Sequence, residues 1–516
     1  MPSTRAAFDR ATLAFVIVLL ALTGARVAAL FYNPLTLYFD EAQYWMWSRT
    51  LDWGYFTKPP MVAWVIAATT AVFGDAEWAV RLGAPLAHAV SAGAIFGLTR
   101  AMYGSWPGFW AGLSWLLLPG VFFSSSLIST DAILLPLWAL ALYAMWRLIE
   151  TRSWIWAILL GVFFGAGVLA KYAMLYFVVC TALAAWKIQP MREALARGRG
   201  VVAGLIGAAF IAPNVWWNVQ NGFVTARHTA ANARLNLDDM FHIDELLEFL
   251  GGQGAVIGPL ILFALCWALW RAMRRASGLG IEDKFLIAYI LPPLVFVSII
   301  AFVSRANANW AAVSYPAILV WVIGNLFTSV AGRRWLVGAN LVNAGIGATM
   351  VLVLLLAPQI ANQAKGVRSA QAWDQTAREI ALRAAAQPGE PPFTAVMVDD
   401  RATYFELNYY WRHARREGAP LPPVRMWLLR GEARNSAEAS DPMRPEEGAR
   451  VLIVHMRPDF LPLVSDDFTV FRTVEHLTVP LGGGVNRELE ISVGEGFAPV
   501  TRDEAFEEML MRRSED

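Results

Sequence analysis

Long apolar runs separated by short polar segments dominate the first two thirds of the chain. Runs of roughly 17 to 25 apolar residues are long enough, as helices, to cross the ~30 Å hydrocarbon core of a bilayer. The pattern predicts a polytopic α-helical membrane protein with about eleven transmembrane helices, near residues 11–31, 78–99, 106–123, 132–149, 153–170, 172–187, 199–215, 255–273, 284–303, 309–328 and 335–357.

Two segments of the first polar connection predict helices that lie at the membrane interface instead of crossing it. The run 61–74 is short and follows Pro59-Pro60, and the segment 40–48 is rich in aromatic residues. Aromatic residues favour the headgroup region of a bilayer. We therefore expect both segments to form juxtamembrane helices.

After residue 357 the chain becomes polar, and short apolar stretches alternate with helical patterns. We therefore expect a membrane domain at 1–357 and a small soluble α/β domain at 358–516. The soluble domain has predicted helices at 402–413 and 502–512 and predicted strands at 393–399, 423–429, 449–456, 468–475 and 485–492.

Basic residues mark one side of the predicted spans. If the N-terminus is cytoplasmic, alternate loops carry an excess of Arg and Lys, as the positive-inside rule requires. The opposite face then receives the first polar connection, the loop 124–131, the long loop 216–254, the turn 304–310 and the C-terminal domain. The basic residues of the loops on the cytoplasmic side are Arg100, Arg147, Arg152, Lys187, Arg192, Arg197, Arg199, Arg271, Arg274, Arg275, Arg333 and Arg334.

Composition narrows the class of protein further. The 516 residues are 57% hydrophobic and 16% charged, with a net charge of +1, which excludes an assembly of ordinary soluble domains. The scattered basic residues form no nucleic-acid patch. The chain also has no Gly-rich phosphate loop of the kind that binds ATP.

The acidic pair Asp40-Glu41 follows the first apolar run and is the first candidate for catalysis. Adjacent residues on a helix point about 100° apart, so that one carboxylate can accept a proton while the other orients it. The alternative is structural, because Asp is favoured at the N-cap and Asp40 would cap a helix over 41–48. The sequence leaves both interpretations open.

Two more charged sites fall on the same predicted face. Lys58 precedes Pro59-Pro60 and suits a phosphate, although an interfacial lysine also snorkels toward lipid headgroups. Asp131 opens the span 132–149, where Thr130 or Asp131 would equally serve as an N-cap. The convergence of acids and a lysine from separate loops favours a functional site.

Weaker candidates lie in the other loops of this face. Donor-phosphate contacts are a suitable role for Lys171, Arg227 and Arg305. Structural explanations are equally open: the side chains could snorkel to the membrane surface, pair with an acidic loop, or belong to an ordered interfacial loop. His228 and His242 lack the spacing of metal ligands, so that no residue is assigned to a metal.

Several motifs together resemble bacterial members of the dolichyl-phosphate-mannose protein mannosyltransferase-like family. This family (glycosyltransferase family 39, with aminoarabinose transferase-like members) belongs to the GT-C glycosyltransferase superfamily. The resemblance covers roughly residues 10–357. It is carried by Phe39-Asp40-Glu41-Ala42-Gln43-Tyr44-Trp45-Met46-Trp47-Ser48, Gly54-Tyr55-Phe56-Thr57-Lys58-Pro59-Pro60, Thr130-Asp131-Ala132 and Ala306-Asn307-Ala308-Asn309-Trp310.

The resemblance implies a multi-pass enzyme of the bacterial inner membrane, with its active site and C-terminal domain in the periplasm. Such an enzyme moves a sugar with inversion from a polyprenyl-phosphate donor to an envelope acceptor, here favoured as lipopolysaccharide core or lipid A. It implies no certain cofactor and leaves a divalent cation open. The implied roles are catalytic for Asp40, Glu41 and Asp131, donor-phosphate binding for Lys58, Lys171, Arg227 and Arg305, and substrate binding for Tyr55, His228 and Asn309.

Three alternatives remain at the level of sequence. In the first alternative, the enzyme is of the same type but its acceptor is a protein or another envelope glycan. The second is a membrane carrier whose charged residues line a translocation path, which predicts charges near the middle of the membrane. The third is a scaffold that presents the C-terminal domain outside the cytoplasm.

Overall fold

Helices occupy the apolar runs of the computed structural model, which describes residues 9–231, 241–275, 278–385, 389–503, 506, 509 and 510. Each predicted span coincides with one helix or with two consecutive ones. The helices before residue 357 are Arg10–Leu30, Phe39–Trp47, Met61–Phe73, Glu77–Arg81, Gly83–Tyr103, Ser105–Leu117, Pro119–Ser124, Thr130–Thr151, Trp154–Ala170, Tyr176–Lys187, Gln189–Leu195, Arg199–Gln220, Val224–Ala231, Ile243–Ile257, Pro259–Arg274, Ile281–Val303, Tyr315–Phe327 and Val330–Leu356.

The predicted count of about eleven spans is not confirmed. Within the described residues, seven helices are long and apolar enough to cross a membrane, or eight if the pair Ile243–Ile257 and Pro259–Arg274, bent by 113°, is one span. Trp154–Ala170 has only 17 residues. Met61–Phe73 has 13 residues, a length of about 20 Å, which is shorter than the ~30 Å hydrocarbon core.

Two helix breaks occur where proline follows a residue outside helical geometry. Leu118 is extended before Pro119, and Gly258 has a φ of 89° before Pro259. A buried carbonyl at such a break needs a donor, since lipid supplies none. The Arg26 guanidinium donates to the carbonyl of Leu116, and Asn343 donates to that of Ile257 over 3.3 Å.

We expect Arg26→Leu to destabilise the protein, because the Leu116 carbonyl loses its donor inside an apolar environment. An unsatisfied buried carbonyl costs about 1–3 kcal/mol. The midpoint of thermal unfolding in detergent, followed by tryptophan fluorescence, should fall by several degrees. Ile17→Leu on the exposed face of the same helix is the control, and an equal fall in both variants would contradict this role of Arg26.

Small residues bring the helices Trp154–Ala170 and Arg199–Gln220 into close contact. A Cβ at Gly161 would lie 2.5 Å from the carbonyl oxygen of Ala203, and one at Gly165 would lie 2.6 Å from the Cβ of Phe210. Small residues four apart are a common basis of helix pairing in membranes. This contact sets the end of the first helix, where Lys171 lies, beside the second.

Within its described residues, the predicted long loop 216–254 is mostly helical. The helix that contains Asn214 continues to Gln220, and helices follow at Val224–Ala231 and Ile243–Ile257. Polar residues at 214–221 suggested the end of a span, but several of them bond within the membrane unit. Asn232 and Arg234 lie outside the described residues.

Contacts divide the chain into two compact units. One contains Met1–Asn33 and Leu51–Val351, and the other contains Pro34–Thr50 and Leu352–Asp516. We call the first the membrane unit and the second the C-terminal unit. The short helix Phe39–Trp47, here called the acidic helix, therefore folds with residues that follow it by more than 300 positions.

The predicted small α/β domain is present in the C-terminal unit. Its five described strands are ordered β2-β1-β3-β5-β4, with β1 parallel to β2 and β3, and β5 antiparallel to β3 and β4. The predicted helix at 502–512 lies largely outside the described residues. The strands are β1 Ala395–Val398, β2 Val424–Met426, β3 Val451–His455, β4 Phe468–Gly482 and β5 Val485–Phe497.

Helices cover the sheet and connect its strands. Met397, Ile453 and Trp427 are buried in its core. The helices of this unit after residue 357 are Pro358–Ala361, Lys365–Ser369, Trp373–Ala384, Arg401–Tyr410, Arg412–Arg416, Ser436–Ser440 and Leu461–Ser465.

Candidate active site

Three predicted site residues meet in the membrane unit. Asp131 accepts a hydrogen bond from Lys171 Nζ at 2.7 Å through Oδ1, and another from Asn309 Nδ2 at 2.8 Å through Oδ2. The side chains of Asp131 and Lys171 are 17% and 22% exposed. The pair is therefore shielded from most of the solvent yet open on one side, as a ligand site requires.

The local backbone explains why these side chains converge. Asp131 lies in the first turn of its helix, and the N-cap is Ser129, whose Oγ accepts from the amide of Ala132. Lys171 is the C-cap of the helix Trp154–Ala170, and its backbone is extended. Capping by Thr130 or Asp131, which the sequence left open, is thus wrong, and pairing with an acid explains Lys171.

A hydrogen-bond network leads from Tyr172, the residue after Lys171, to the first polar connection. The hydroxyl of Tyr172 donates to Asn214 Oδ1 at 3.0 Å, and Asn214 Nδ2 donates to the carbonyl of Trp53 at 2.6 Å. Asn218 Nδ2 also donates to the Tyr172 hydroxyl at 3.3 Å. The two asparagines are buried, so that these bonds form away from water.

The loop that carries Tyr55 and Lys58 is held by several bonds. The amide of Tyr55 donates to the carbonyl of Lys58 at 3.1 Å, and Thr225 Oγ1 donates to the carbonyl of Tyr55 at 2.6 Å. Trp217 Nε1 donates to Asp52 Oδ2 at 2.7 Å. Burial raises the pKa of Tyr55 to about 12, so that its hydroxyl stays protonated at neutral pH.

We expect Asn214→Leu to weaken donor binding, because the Trp53 carbonyl and the Tyr172 hydroxyl both lose a partner. A hydrogen bond of this kind is worth about 1 kcal/mol, so that the KM for the lipid donor should rise about fivefold to tenfold. Asn221→Leu is the matched control, because Asn221 is exposed and, among the described contacts, its side chain bonds only to the carbonyl of Trp217, one turn before it. Equal effects of the two variants would contradict the network.

The remaining candidates of the membrane unit are more exposed. Arg227 follows Thr225 by two residues, and Arg305 lies in the turn before the 3-10 helix Ala308–Ser314. Their roles stay predictions. The side chain of His228 lies outside the described residues. In the described part of the chain, no group of three or more His, Cys, Asp and Glu side chains is arranged so that it could hold a metal ion.

The two residues of the acidic pair differ in hydrogen bonding and in burial at the start of the acidic helix. Tyr38 is the N-cap, and Glu41 Oε2 accepts a hydrogen bond from the Tyr38 amide at 3.0 Å. Glu41 is only 1% exposed, whereas Asp40 is half-buried. The alternative that Asp40 caps the helix is therefore wrong, and Glu41 performs that task.

Sequence reasoning did not identify the residues that hold the acidic helix. Tyr410 and Ser436 contact it from the C-terminal unit. Tyr404 and Asn408 bond inside this unit, with Tyr404 donating to Asp441 and Asn408 to the carbonyl of Tyr404. Sequence reasoning also missed Asp52 and Trp53, which accept hydrogen bonds from Trp217 and Asn214. Their position in the chain, close to Tyr55, could have drawn attention to them.

Comparison with known proteins relates part of the chain to one family model and to a curated relative. Residues 57–217 match the family model described as dolichyl-phosphate-mannose-protein mannosyltransferase. Lipid A galacturonosyltransferase RgtD of Rhizobium johnstonii is 37% identical over 320 residues, which are 60% of this chain and 65% of that protein. The chain thus matches slightly less than two thirds of its relative's length.

Solved structures show the fold. The crystal structures of ArnT from Cupriavidus metallidurans, in the apo state and bound to undecaprenyl phosphate, each have a TM-score of 0.60 and 16% identity to this chain. Each match covers 93% of this chain and 97% of ArnT. The matched family region contains Lys58, Asp131 and Lys171, and the acidic pair precedes it. The chain is thus similar in sequence to this family model and to a lipid A galacturonosyltransferase, and it is similar in fold to ArnT.

Proposed function

We propose that the protein transfers a sugar from a polyprenyl-phosphate carrier to lipid A at the periplasmic face of the bacterial inner membrane. The similarity to a lipid A galacturonosyltransferase supports this acceptor and makes a galacturonosyl residue the first candidate sugar. The fold shared with ArnT, solved with undecaprenyl phosphate, supports a polyprenyl phosphate donor.

The Asp131–Lys171–Asn309 cluster carries the proposal. A lysine ammonium has three donors, and one of them is directed at Asp131. The remaining donors are suited to a phosphate oxygen, with Asp131 fixing the position of the ammonium. Lys58 lies in the loop to which Asn214 donates, and Asn214 is bonded to Tyr172, the chain neighbour of Lys171. Lys58 and Lys171 are the two lysines proposed to contact the donor phosphate.

The proposed reaction is a single displacement at the anomeric carbon. The acceptor oxygen forms its bond to that carbon as the bond to the phosphate oxygen breaks, which inverts the configuration. Asp40 accepts the proton of the acceptor hydroxyl. The polyprenyl phosphate leaves with the bonding electron pair, and Lys58 and Lys171 stabilise its negative charge through preorganised electrostatics.

Mass analysis of lipid A tests the proposed function. A strain that lacks the protein should lose the mass of one hexuronic acid residue from its lipid A, and wild-type protein should restore it. Asp40→Asn should not restore the mass although it accumulates in the membrane. Unchanged lipid A in the deletion strain, with an altered protein or other envelope glycan instead, would overturn the proposed acceptor.

A further inference from the structure

The C-terminal unit contains the acidic helix, although the two are distant in sequence. The helix has only nine residues, which is too short for stability in isolation. Six of those residues are buried: Glu41, Ala42, Gln43, Tyr44, Trp45 and Trp47. Its structure must therefore come from the residues against which it packs.

Hydrogen bonds fix both ends of this helix. Before its first turn, the amide of Leu37 donates to the hydroxyl of Tyr410 at 3.1 Å. At its last residue, Trp47 Nε1 donates to Ser436 Oγ at 3.0 Å in a buried contact. Two bonds at opposite ends restrain rotation as well as translation, which a single central contact would not do.

Aromatic packing adds to these bonds along the helix. The rings of Trp45 and Tyr409 meet edge to face with their centroids 5.0 Å apart. The Arg412 guanidinium lies 3.6 Å from the centroid of Tyr409 and 5.9 Å from that of Trp45. Arg401 lies over the ring of Phe39 at 4.6 Å.

The electrostatic environment of Asp40 also involves this unit. Burial raises the pKa of Tyr38, the Asp40 carboxylate raises it further, and Arg401 acts in the opposite direction. Tyr38 therefore lies within the field of both charges. Arg401, which lies over the ring of Phe39, thus contributes positive charge at the start of the acidic helix.

From this packing we infer that Tyr410 and Ser436 are positioning residues for catalysis, because they fix the helix that presents Asp40 to the acceptor hydroxyl. The inference rests on the proposed function. It makes the C-terminal unit a part of the catalytic apparatus, beyond any role in choosing an acceptor. Placement of a general base within a fraction of an ångström governs the efficiency of proton transfer.

Hydrogen exchange and steady-state kinetics on the purified full chain test this inference together. The double variant Tyr410→Phe with Ser436→Ala removes both bonds and keeps the ring of Tyr410. We expect amide exchange over 37–48 to accelerate about tenfold, since two bonds are lost. With undecaprenyl phosphate-galacturonic acid and lipid A from the deletion strain, kcat should fall about tenfold while the KM for the donor stays unchanged.

Additional variants separate positioning from general damage. Trp47→Phe removes the indole N–H donor together with the five-membered ring that carries it, and it should reproduce part of the effect if the double variant fails to accumulate. Ser436→Thr keeps the hydroxyl and should retain kcat. Thr394→Ala removes a hydroxyl that bonds to Arg450 O elsewhere in the unit, and it should leave both exchange over 37–48 and kcat unchanged.

The outcomes distinguish this inference from the proposed function. Unchanged exchange over 37–48 in the double variant, or faster exchange with an unchanged kcat, would overturn the positioning role. If the double variant and the control Thr394→Ala lowered kcat to the same extent, the positioning role would be overturned too. Wild-type protein that transfers no sugar to lipid A would instead overturn the proposed function, while the exchange data would still report how the helix is held.

Discussion

Replacing Asp40 by Asn is expected to lower kcat by about two to four orders of magnitude, the range that a general base contributes. The amide has nearly the same shape as the carboxylate but cannot accept the acceptor proton. Because Glu41 and not Asp40 caps the acidic helix, the thermal stability of the variant should stay near that of wild type. Transfer of radiolabelled sugar to lipid A measures the loss.

Two controls accompany this prediction. Asp466→Asn makes the same chemical change at an exposed position of the C-terminal unit and should leave activity unchanged. Glu41→Ala should act mainly on stability, because the Tyr38 amide loses its acceptor. Substantial turnover by Asp40→Asn at neutral pH would show that another group accepts the proton.

The pair of Asp131 and Lys171 should show separate effects on stability and activity. Lys171→Met leaves a largely buried carboxylate without its counter-ion, which should cost about 1–3 kcal/mol. The double variant with Asp131→Asn should recover much of that stability, because no charge is left unpaired. Activity should stay more than tenfold below wild type in both, since the phosphate has lost a cation.

Thermal unfolding and steady-state kinetics on the two single variants and the double variant form the required cycle. The pair of Arg147 and Glu150, 2.6 Å apart on the same helix as Asp131, is the matched control. That pair is more exposed, and its removal should cost less than about 1 kcal/mol with no loss of activity. Recovery of activity in the double variant would mean that the Asp131 pair serves stability alone.

Local patterns were sufficient to predict most of the helices and strands. Hydropathy is a property of a short window, and so the apolar runs and all five strands in the described C-terminal unit could be located. The number of spans could not be predicted in this way, because it depends on whether an apolar run forms one straight helix or two helices with a break between them. Pro119 and Pro259 interrupt two runs, and the donors that make those breaks tolerable, Arg26 and Asn343, come from distant helices.

The members of the site were easier to predict than their contacts. Asp131, Lys171 and Asn309 stood out as polar residues at the ends of apolar runs. Their bonds join residues 40 and 178 positions apart, and only the packing of the helices brings them together. The capping alternatives failed for a local reason, since Ser129 and Glu41 were present to perform that task.

The association of the acidic helix with the C-terminal unit has no counterpart in the sequence pattern. The helix follows the first apolar run directly, and its aromatic residues suit a membrane interface as well as a protein interface. Tyr410 and Ser436 lie in ordinary amphipathic stretches. Nothing in the sequence marks a contact between them and residues near the start of the chain.

This long separation has a consequence for biosynthesis. Leu37 leaves the ribosome 373 residues before Tyr410, an interval on the order of tens of seconds at ~5–20 residues per second. During that time the nine-residue helix has no partner and the proton acceptor has no fixed position. Under the proposed function, we therefore expect full activity only after the C-terminal unit has been translated and folded, and we expect a chain truncated before Tyr410 to be inactive.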